Sequence, residues 1–337
     1  MTELKEQAAK VLGPLSGTAT VWGLDLGLRL GVFAHLATRP AGATADEVAA
    51  ALGLDPQYTH VVLRAAYAAE ILELSGDSYR LAEHMDVLLL DPDAPGYLGG
   101  ALKTFVALRE TYLDLRTFAG TGEREWWSDF DPEWIEAVGE NGQTYYRRLL
   151  DQVVPRLPAV GAALERGARY LDLACGVCRG PAKIVDAYPA TTVTAVDCDA
   201  YTLEVAELEM KERGIGAQFT FVQTMLENLE IVGGHDLAVI NISLHEARDI
   251  DQVVARAYAA LEIGGTFLVS EFPFPEREED CRTVPGRLMC GVQMFEAHIG
   301  CQLLPTSRFV QHLGQAGFRD VGVIEVTPMH VVVYGTK

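Results

Sequence analysis

Short apolar runs built from β-compatible residues recur through the second half of the chain, at 169–174, 192–197, 218–222, 235–242, 265–271, about 319–326 and about 329–335. Behind each of the first five, the apolar positions switch to helical spacing, as Ala182, Ile184, Val185 and Ala187 do behind the first. Strand and helix alternating at this interval predict a doubly wound, mostly parallel seven-stranded sheet, with ligands at the carboxyl ends of its strands. The last two runs meet at a turn around Pro328, too tight for a crossover helix, so they form an antiparallel pair.

The first half carries helical periodicity. Residues 7–36 read as one long helix with Val11, Leu12, Val21, Leu24, Leu26, Leu28 and Phe33 spread around it, a surface that needs a partner. Thr44, followed three residues later by Glu47, is a capping box, and Gly53 stops the helix that it opens. A further helix over 56–74 and a small hairpin over 73–81, turning at Gly76-Asp77, complete a helix, turn, helix and wing. The Pro/Gly/Asp-rich stretch 92–99 marks a boundary. Helical spacing then resumes to about residue 164, broken by 120–123 and by an aromatic, acidic segment running from Trp126 to Trp134. The expected division is residues 1–98, a helical linker over 99–165 and an α/β domain over 166–337.

Charge narrows the partners. The 337 residues carry a formal net charge of −20 with no basic cluster to offset it, which disfavours a nucleic-acid backbone and favours a small-molecule substrate. No apolar run reaches the length of a membrane span, and the first residues lack the basic and apolar regions of a signal peptide, so a cytoplasmic location without membrane partners is expected. The six cysteines are then expected as free thiols. Cys175 and Cys178 form a Cys-x-x-Cys, but a zinc ribbon needs a second close pair, and a thioredoxin-like dithiol needs its own small domain. Both are read as small loop residues.

The chemistry centres on Tyr170–Gly180. A strand here runs into a glycine turn and then a helix, so unpaired N–H groups face whatever sits above the turn. Asp197 ends the next strand, where an acid can accept hydrogen bonds from ribose hydroxyls. Ala174, Gly176 and Cys178 do not make the Gly-x-Gly-x-x-Gly of a dinucleotide binder. Leu171, Asp172 and Gly176, with Gly180 beyond, resemble instead motif I of the class I S-adenosylmethionine-dependent methyltransferases, with Ala174 and Cys178 standing where that family usually has glycine. The resemblance implies a Rossmann-like methyltransferase domain binding S-adenosylmethionine through Asp172, Gly176 and Asp197, with Asn241 near its methionine part. Thr224 and Met225 replace the family's Gly-Asp pair beside the adenine. The N-terminal region is similar to the winged-helix dimerisation domain of small-molecule O-methyltransferases, which implies a homodimer.

His245, delivered by the strand that ends near Ile242, occupies the place where those enzymes carry a general base that deprotonates a hydroxyl. Glu246 adjoins it, and His298 follows the fifth strand. Two histidines and a carboxylate suit iron(II) and are compatible with zinc. This set resembles the metal-dependent 2-oxo acid C-methyltransferases of peptide-antibiotic pathways, which implies one iron or zinc ion on His245, Glu246 and His298, with glutamate where aspartate is expected. Such an ion would chelate a 2-oxo acid and stabilise its enolate for methylation at the β-carbon. Sequence alone leans to that reaction over metal-free O-methylation of a phenol or other hydroxyl with His245 as base. A winged-helix regulator responding to S-adenosylmethionine ranks third, because 56–74 carries only Arg64 as a strong base. Trp126, Trp127, Phe130, Tyr145, Tyr146, Arg147 and Arg148 form the pool from which a substrate wall would be drawn.

Overall fold

A computed structural model describes residues 3–130 and 132–337. The chain divides into two compact units, Met1–Arg109 and Glu110–Lys337.

In the first unit the long helix expected over 7–36 is two helices, α1 (Leu4–Arg29) and α2 (Val32–Ala37), because Gly31 takes φ +72° between them. A two-residue strand β1 (Ala43–Thr44) leads into α3 (Ala45–Leu52), whose capping box forms as expected. Glu47 N–H donates to Thr44 Oγ1 at 3.3 Å, and Thr44 N–H donates to Glu47 Oε2 at 2.8 Å. Helix α4 (Pro56–Ala68) is shorter than expected, since Leu72 already belongs to the hairpin β2 (Leu72–Ser75) and β3 (Ser78–Leu81), and α5 (Met85–Leu90) follows. The small sheet has the order β1-β3-β2. Val32, Phe33, Leu36, Val48 and Leu63 fill the core beneath it. Along α1, Leu4, Val11, Leu12, Leu15, Trp22 and Leu26 remain 47–85% exposed.

Helix α6 (Gly99–Thr121) leads to α7 (Pro132–Arg148) and α8 (Pro158–Glu165), ahead of the large sheet. Its strands are β4 (Arg169–Leu173), β5 (Thr192–Asp197), β6 (Phe219–Gln223), β7 (His235–Asn241), β8 (Leu261–Glu271), β9 (Arg319–Thr327) and β10 (His330–Thr336). They lie in the order β6-β5-β4-β7-β8-β10-β9. The first five are parallel, and β10 runs antiparallel between β8 and β9, as the tight turn required. Helices α9 (Arg179–Ala187), α10 (Ala200–Glu212), α11 (Ile250–Ala260), α12 (Val284–His298) and α13 (Thr306–Gln315) fill the connections. The helix expected behind β6 is only a single 3₁₀ turn over Leu226–Asn228.

Burial on both faces explains the apolar runs. Alternate residues of each strand divide between two cores: Tyr170, Leu237, Val239 and Leu268 face one, while Leu171, Leu173, Ala238, Ile240 and Val269 face the other. Asp172 shares the face of Tyr170, where α7 and α9 pack, and Tyr146 of α7 reaches it. Gly180 makes that contact possible, since a Cβ there would lie 2.1 Å from the Tyr146 ring. Packing requires glycine at this position. Gly180→Ala should therefore cost about 1–3 kcal/mol through overpacking. A denaturant midpoint unchanged from wild type would show that Tyr146 can move aside.

Candidate functional site

The carboxyl ends of β4, β5, β6, β7 and β8 supply the site. Behind β4, Ala174 (φ +58°), Gly176 (φ +54°) and Cys178 (φ +60°) all adopt left-handed backbone. The turn thus keeps a glycine-like path where only one of the three residues is glycine, at a cost of about 1–2 kcal/mol for each side chain held there. Space around the Gly176 Cα is open, with nothing within 4 Å of where a Cβ would stand. Gly176 N–H donates to Asp197 Oδ2 at 3.0 Å and Asp199 N–H to Asp197 Oδ1 at 3.0 Å, so the β5 carboxylate is tied directly to the β4 turn. Burial pushes the Asp197 carboxyl up, against the pull of those amides. The backbone continues this chain of contacts, with Thr224 N–H donating to Asp197 O at 2.9 Å. Thr224 and Met225 are half-buried at the end of β6. Asn241, ending β7, accepts from Ser270 Oγ at 2.6 Å, and Ser270 in turn meets His330 Nε2 at 2.7 Å.

Asp172 stands apart from this edge. It is fully buried and accepts from the hydroxyls of Tyr146, at 2.9 Å, and Tyr170. Burial raises its carboxyl to about 7, the two hydroxyls pull it down, and Asp197 adds to the rise.

A second cluster surrounds His245, which lies on a 3₁₀ turn, Leu244–Glu246, entered through Ile242 at φ +52°. A β-branched residue in left-handed backbone is a strained entry. Glu271, the last residue of β8 and fully buried, holds the turn. It accepts N–H from Leu244 at 2.8 Å and from His245 at 3.2 Å on one oxygen, and meets His245 Nδ1 at 2.8 Å with the other. Burial opposes charge on the His245 imidazole, yet Glu271 and Glu296 outweigh it and lift the imidazole well above its ordinary range. Glu246 accepts from Trp127 Nε1 at 2.6 Å, and burial, reinforced by Glu296, lifts its carboxyl to about 8.

The three residues expected from sequence to hold a metal do not all come together. Among the described residues, the grouping whose ligand atoms all lie within 4.8 Å of one another is His245, Glu246 and Glu296. His298 is absent from it: its Nε2 lies 2.5 Å from Glu125 Oε2, and its ring packs on Phe118 at 4.6 Å. Along α12, Glu296 and His298 are two residues apart, about 200° around a helix, so they cannot present side chains to one point.

Of the aromatic pool, Trp127 and Phe130 pack, together with Trp134, on Phe295 at centroid distances of 5.1–6.1 Å. Trp126 lies under the Arg248 guanidinium at 5.0 Å. Tyr145 packs on His330, Arg147 pairs with Asp151, and Arg148 covers the Tyr145 ring. Sequence reasoning missed Glu271 and Glu296. A charged residue closing the otherwise apolar run of β8 was the available signal for the first. Elsewhere, a cavity of about 420 Å³ lies by the amino ends of β7 and β8, lined by Asp236, Glu262 and Thr266 and by α8, and none of the predicted site residues borders it.

The family model described as a methyltransferase domain matches residues 171–265. The ubiquinone/menaquinone biosynthesis C-methyltransferase UbiE of Psychromonas ingrahamii is 32% identical over 116 residues, 34% of this chain and 46% of that protein. Its counterpart in Shewanella halifaxensis is 30% identical over 125 residues, 36% and 50% of the two chains. The chain thus spans about half the length of these curated relatives. Among solved structures, an O-methyltransferase family protein from Burkholderia thailandensis has a TM-score of 0.70 at 20% identity, covering 100% of this chain and 98% of that one. Mitomycin 7-O-methyltransferase has 0.67 at 19%, covering 99% and 98%, and human N-acetylserotonin methyltransferase, solved with S-adenosylmethionine, 0.65 at 18%, covering 100% and 99%.

The raised Asp172 carboxyl has a consequence for stability. A folded-state value of about 7 against an ordinary 3.8 means that the folded chain holds this proton more tightly. Its contribution is full below about pH 4 and is lost as pH rises through about 7. Asp172→Asn stays neutral throughout, so its melting temperature relative to wild type should climb between about pH 4 and pH 7. Parallel curves for the two proteins would contradict the raised value. The chain thus has the Rossmann-like class I methyltransferase fold, and its residues 171–265 match the methyltransferase domain model.

Proposed function

We propose that this protein is an S-adenosylmethionine-dependent methyltransferase of a small molecule, with a hydroxyl oxygen as acceptor and His245 as the group that takes its proton. The observation that carries this reading is the Glu271–His245 pair. A buried carboxylate on Nδ1 fixes the ring and makes it a stronger base, leaving Nε2 for the acceptor. The residues fit the cofactor. The open turn at Gly176 would face its charged methionine end, the Asp197 carboxylate would take the ribose hydroxyls, and Thr224 and Met225 would flank the adenine. When bound, S-adenosylmethionine supplies an electrophilic methyl group. Trp127, Phe130 and Phe295 would exclude water and bound the acceptor.

A second reading, metal-assisted C-methylation at the β-carbon of a 2-oxo acid, is favoured by the convergence of His245, Glu246 and Glu296. These residues fit an iron or zinc ion, which would supply Lewis acidity to a chelated keto acid. UbiE is named as a C-methyltransferase, and the solved structures as O-methyltransferases, so each acceptor type has a relative or neighbour on this fold.

For the first unit we propose a winged-helix dimerisation role. The apolar surface left on α1 is the support for pairing two copies. The acidic chain argues against nucleic acid, and no helix among the described residues is long and apolar enough to cross a membrane.

Calorimetry should register S-adenosylmethionine binding that Asp197→Ala weakens about 10–100-fold, through lost charge-assisted hydrogen bonds. No binding by wild type would sink the reading. With a panel of phenols and 2-oxo acids, His245→Asn should lower kcat for a hydroxyl acceptor by about 10²–10⁴ while leaving cofactor affinity unchanged. Turnover of phenols unaffected by that substitution would remove His245 as base. In light scattering, Leu12→Glu with Leu15→Glu should convert a dimer to a monomer, and a wild-type monomer would refute the pairing.

A further inference from the structure

Three buried polar side chains form a line across neighbouring strands beside the Gly176 turn. His330 opens β10, Ser270 lies near the end of β8 and Asn241 ends β7, and they are 0%, 0% and 8% exposed. Strand alternation puts Asn241 and Ser270 on the face of Val239 and Leu268. His330 meets them there, beneath the Tyr145 ring of α7 at a centroid distance of 5.0 Å. Register sets Ile240 beside Leu173, so Asn241 stands next to Ala174, where the turn containing Gly176 begins.

The distances fix which group donates. Ser270 Oγ lies 2.6 Å from the Asn241 carboxamide, inside the range of O–H···O bonds and shorter than N–H···O bonds usually are. The atom it meets is therefore Oδ1, and the hydroxyl donates. A hydroxyl has one proton to give. The 2.7 Å contact between Ser270 Oγ and His330 Nε2 is then an N–H donated by the ring. Burial, with the Arg148 charge adding to it, holds the imidazole down to about 3, so the ring is neutral and carries its single N–H on Nε2. Nδ1 is left bare, and it makes no hydrogen bond to any described group. Donation thus runs one way, from His330 through Ser270 to Asn241. It occupies the Asn241 oxygen, while the amide nitrogen makes no hydrogen bond among the described residues and keeps two donors to offer.

We propose that Ser270 and His330 are positioning residues that lock the Asn241 carboxamide so that its N–H groups take the carboxylate of the cofactor's methionine part. The ammonium of that part would need the oxygen that Ser270 already holds, so the two charged groups are told apart at this residue. The inference rests on S-adenosylmethionine binding at the Gly176 turn and adds which group of it Asn241 reads.

Calorimetry on the full chain would use S-adenosylhomocysteine, its decarboxylated analogue and 5′-methylthioadenosine, which lacks the amino acid part altogether. Ser270→Ala and His330→Leu should weaken S-adenosylhomocysteine about 10–100-fold, through one charge-assisted hydrogen bond, and shift the other two ligands by less than about threefold. His330→Gln, whose amide can donate in place of the ring, should hold S-adenosylhomocysteine to within about threefold of wild type. In wild type labelled with nitrogen-15 histidine, the ring resonances that disappear in His330→Gln should show the Nε2–H tautomer. That spectrum and the affinity of His330→Gln decide the matter if Ser270→Ala or His330→Leu fails to fold. The Nδ1–H tautomer, unchanged affinity for S-adenosylhomocysteine in Ser270→Ala and His330→Leu, or equal weakening of all three ligands overturns the proposal. Wild type that binds none of the three overturns the proposed function and this inference with it. Wild type that binds all three, with variants that do not discriminate among them, overturns this inference alone.

Discussion

The Glu271 carboxylate is the constraint on which the site depends. A fully buried charge is tolerated only when its lone pairs are occupied, and here the donors are the N–H groups of Leu244 and His245, the Phe272 N–H and the His245 ring. Meeting that need fixes the turn after β7 against the end of β8. The strained backbone at Ile242 is the local cost of bringing the turn there. One side chain therefore sets the backbone path, the ring orientation and the electrostatic character of His245 together.

Around this anchor the site collects acidic side chains. Glu246 and Glu296 join Glu271 about one imidazole, and burial holds a proton on Glu246 up to about pH 8. Aromatic residues from the segment before α7 and from α12 close over it, and two of their contacts are polar: Trp127 to Glu246, and Glu125 to His298. Such a surround excludes water and strengthens whatever electrostatic interaction an acceptor makes inside it.

Much of this organisation was legible in the sequence, and for physical reasons. Strands buried on both faces have to be apolar throughout, so the seven runs stood out and their bounds held to within a few residues, with β8 beginning at Leu261 ahead of the expected 265. The capping box at Thr44 and the hairpin at Gly76-Asp77 are local signals that depend on little else. Asp197, Gly176 and His245 could be placed at the carboxyl edge of the sheet because glycine turns and strand ends are local signals. What failed was long-range. Nothing local shows that Gly31 breaks the first helix or that β6 is followed by a single turn. Residue type grouped His298 with His245, whereas the side chains whose ligand atoms lie together are His245, Glu246 and Glu296. Glu271 was hidden as one polar residue at the end of an apolar run, its meaning visible only once the β7 turn lies beside it.

The position of β10 bears on how such a chain becomes a sheet as it is synthesised. It is the last strand of the domain to be made, yet it lies between β8 and β9 and supplies every neighbour that β9 has. While it is still missing from a nascent chain, β8 presents a bare edge and β9 has nothing to join. The five parallel strands carrying the Gly176 turn and His245 can assemble first, but they do so with an open, apolar flank. Exposed edges of that kind invite intermolecular pairing, so the final strand is the seal that ends the vulnerable interval.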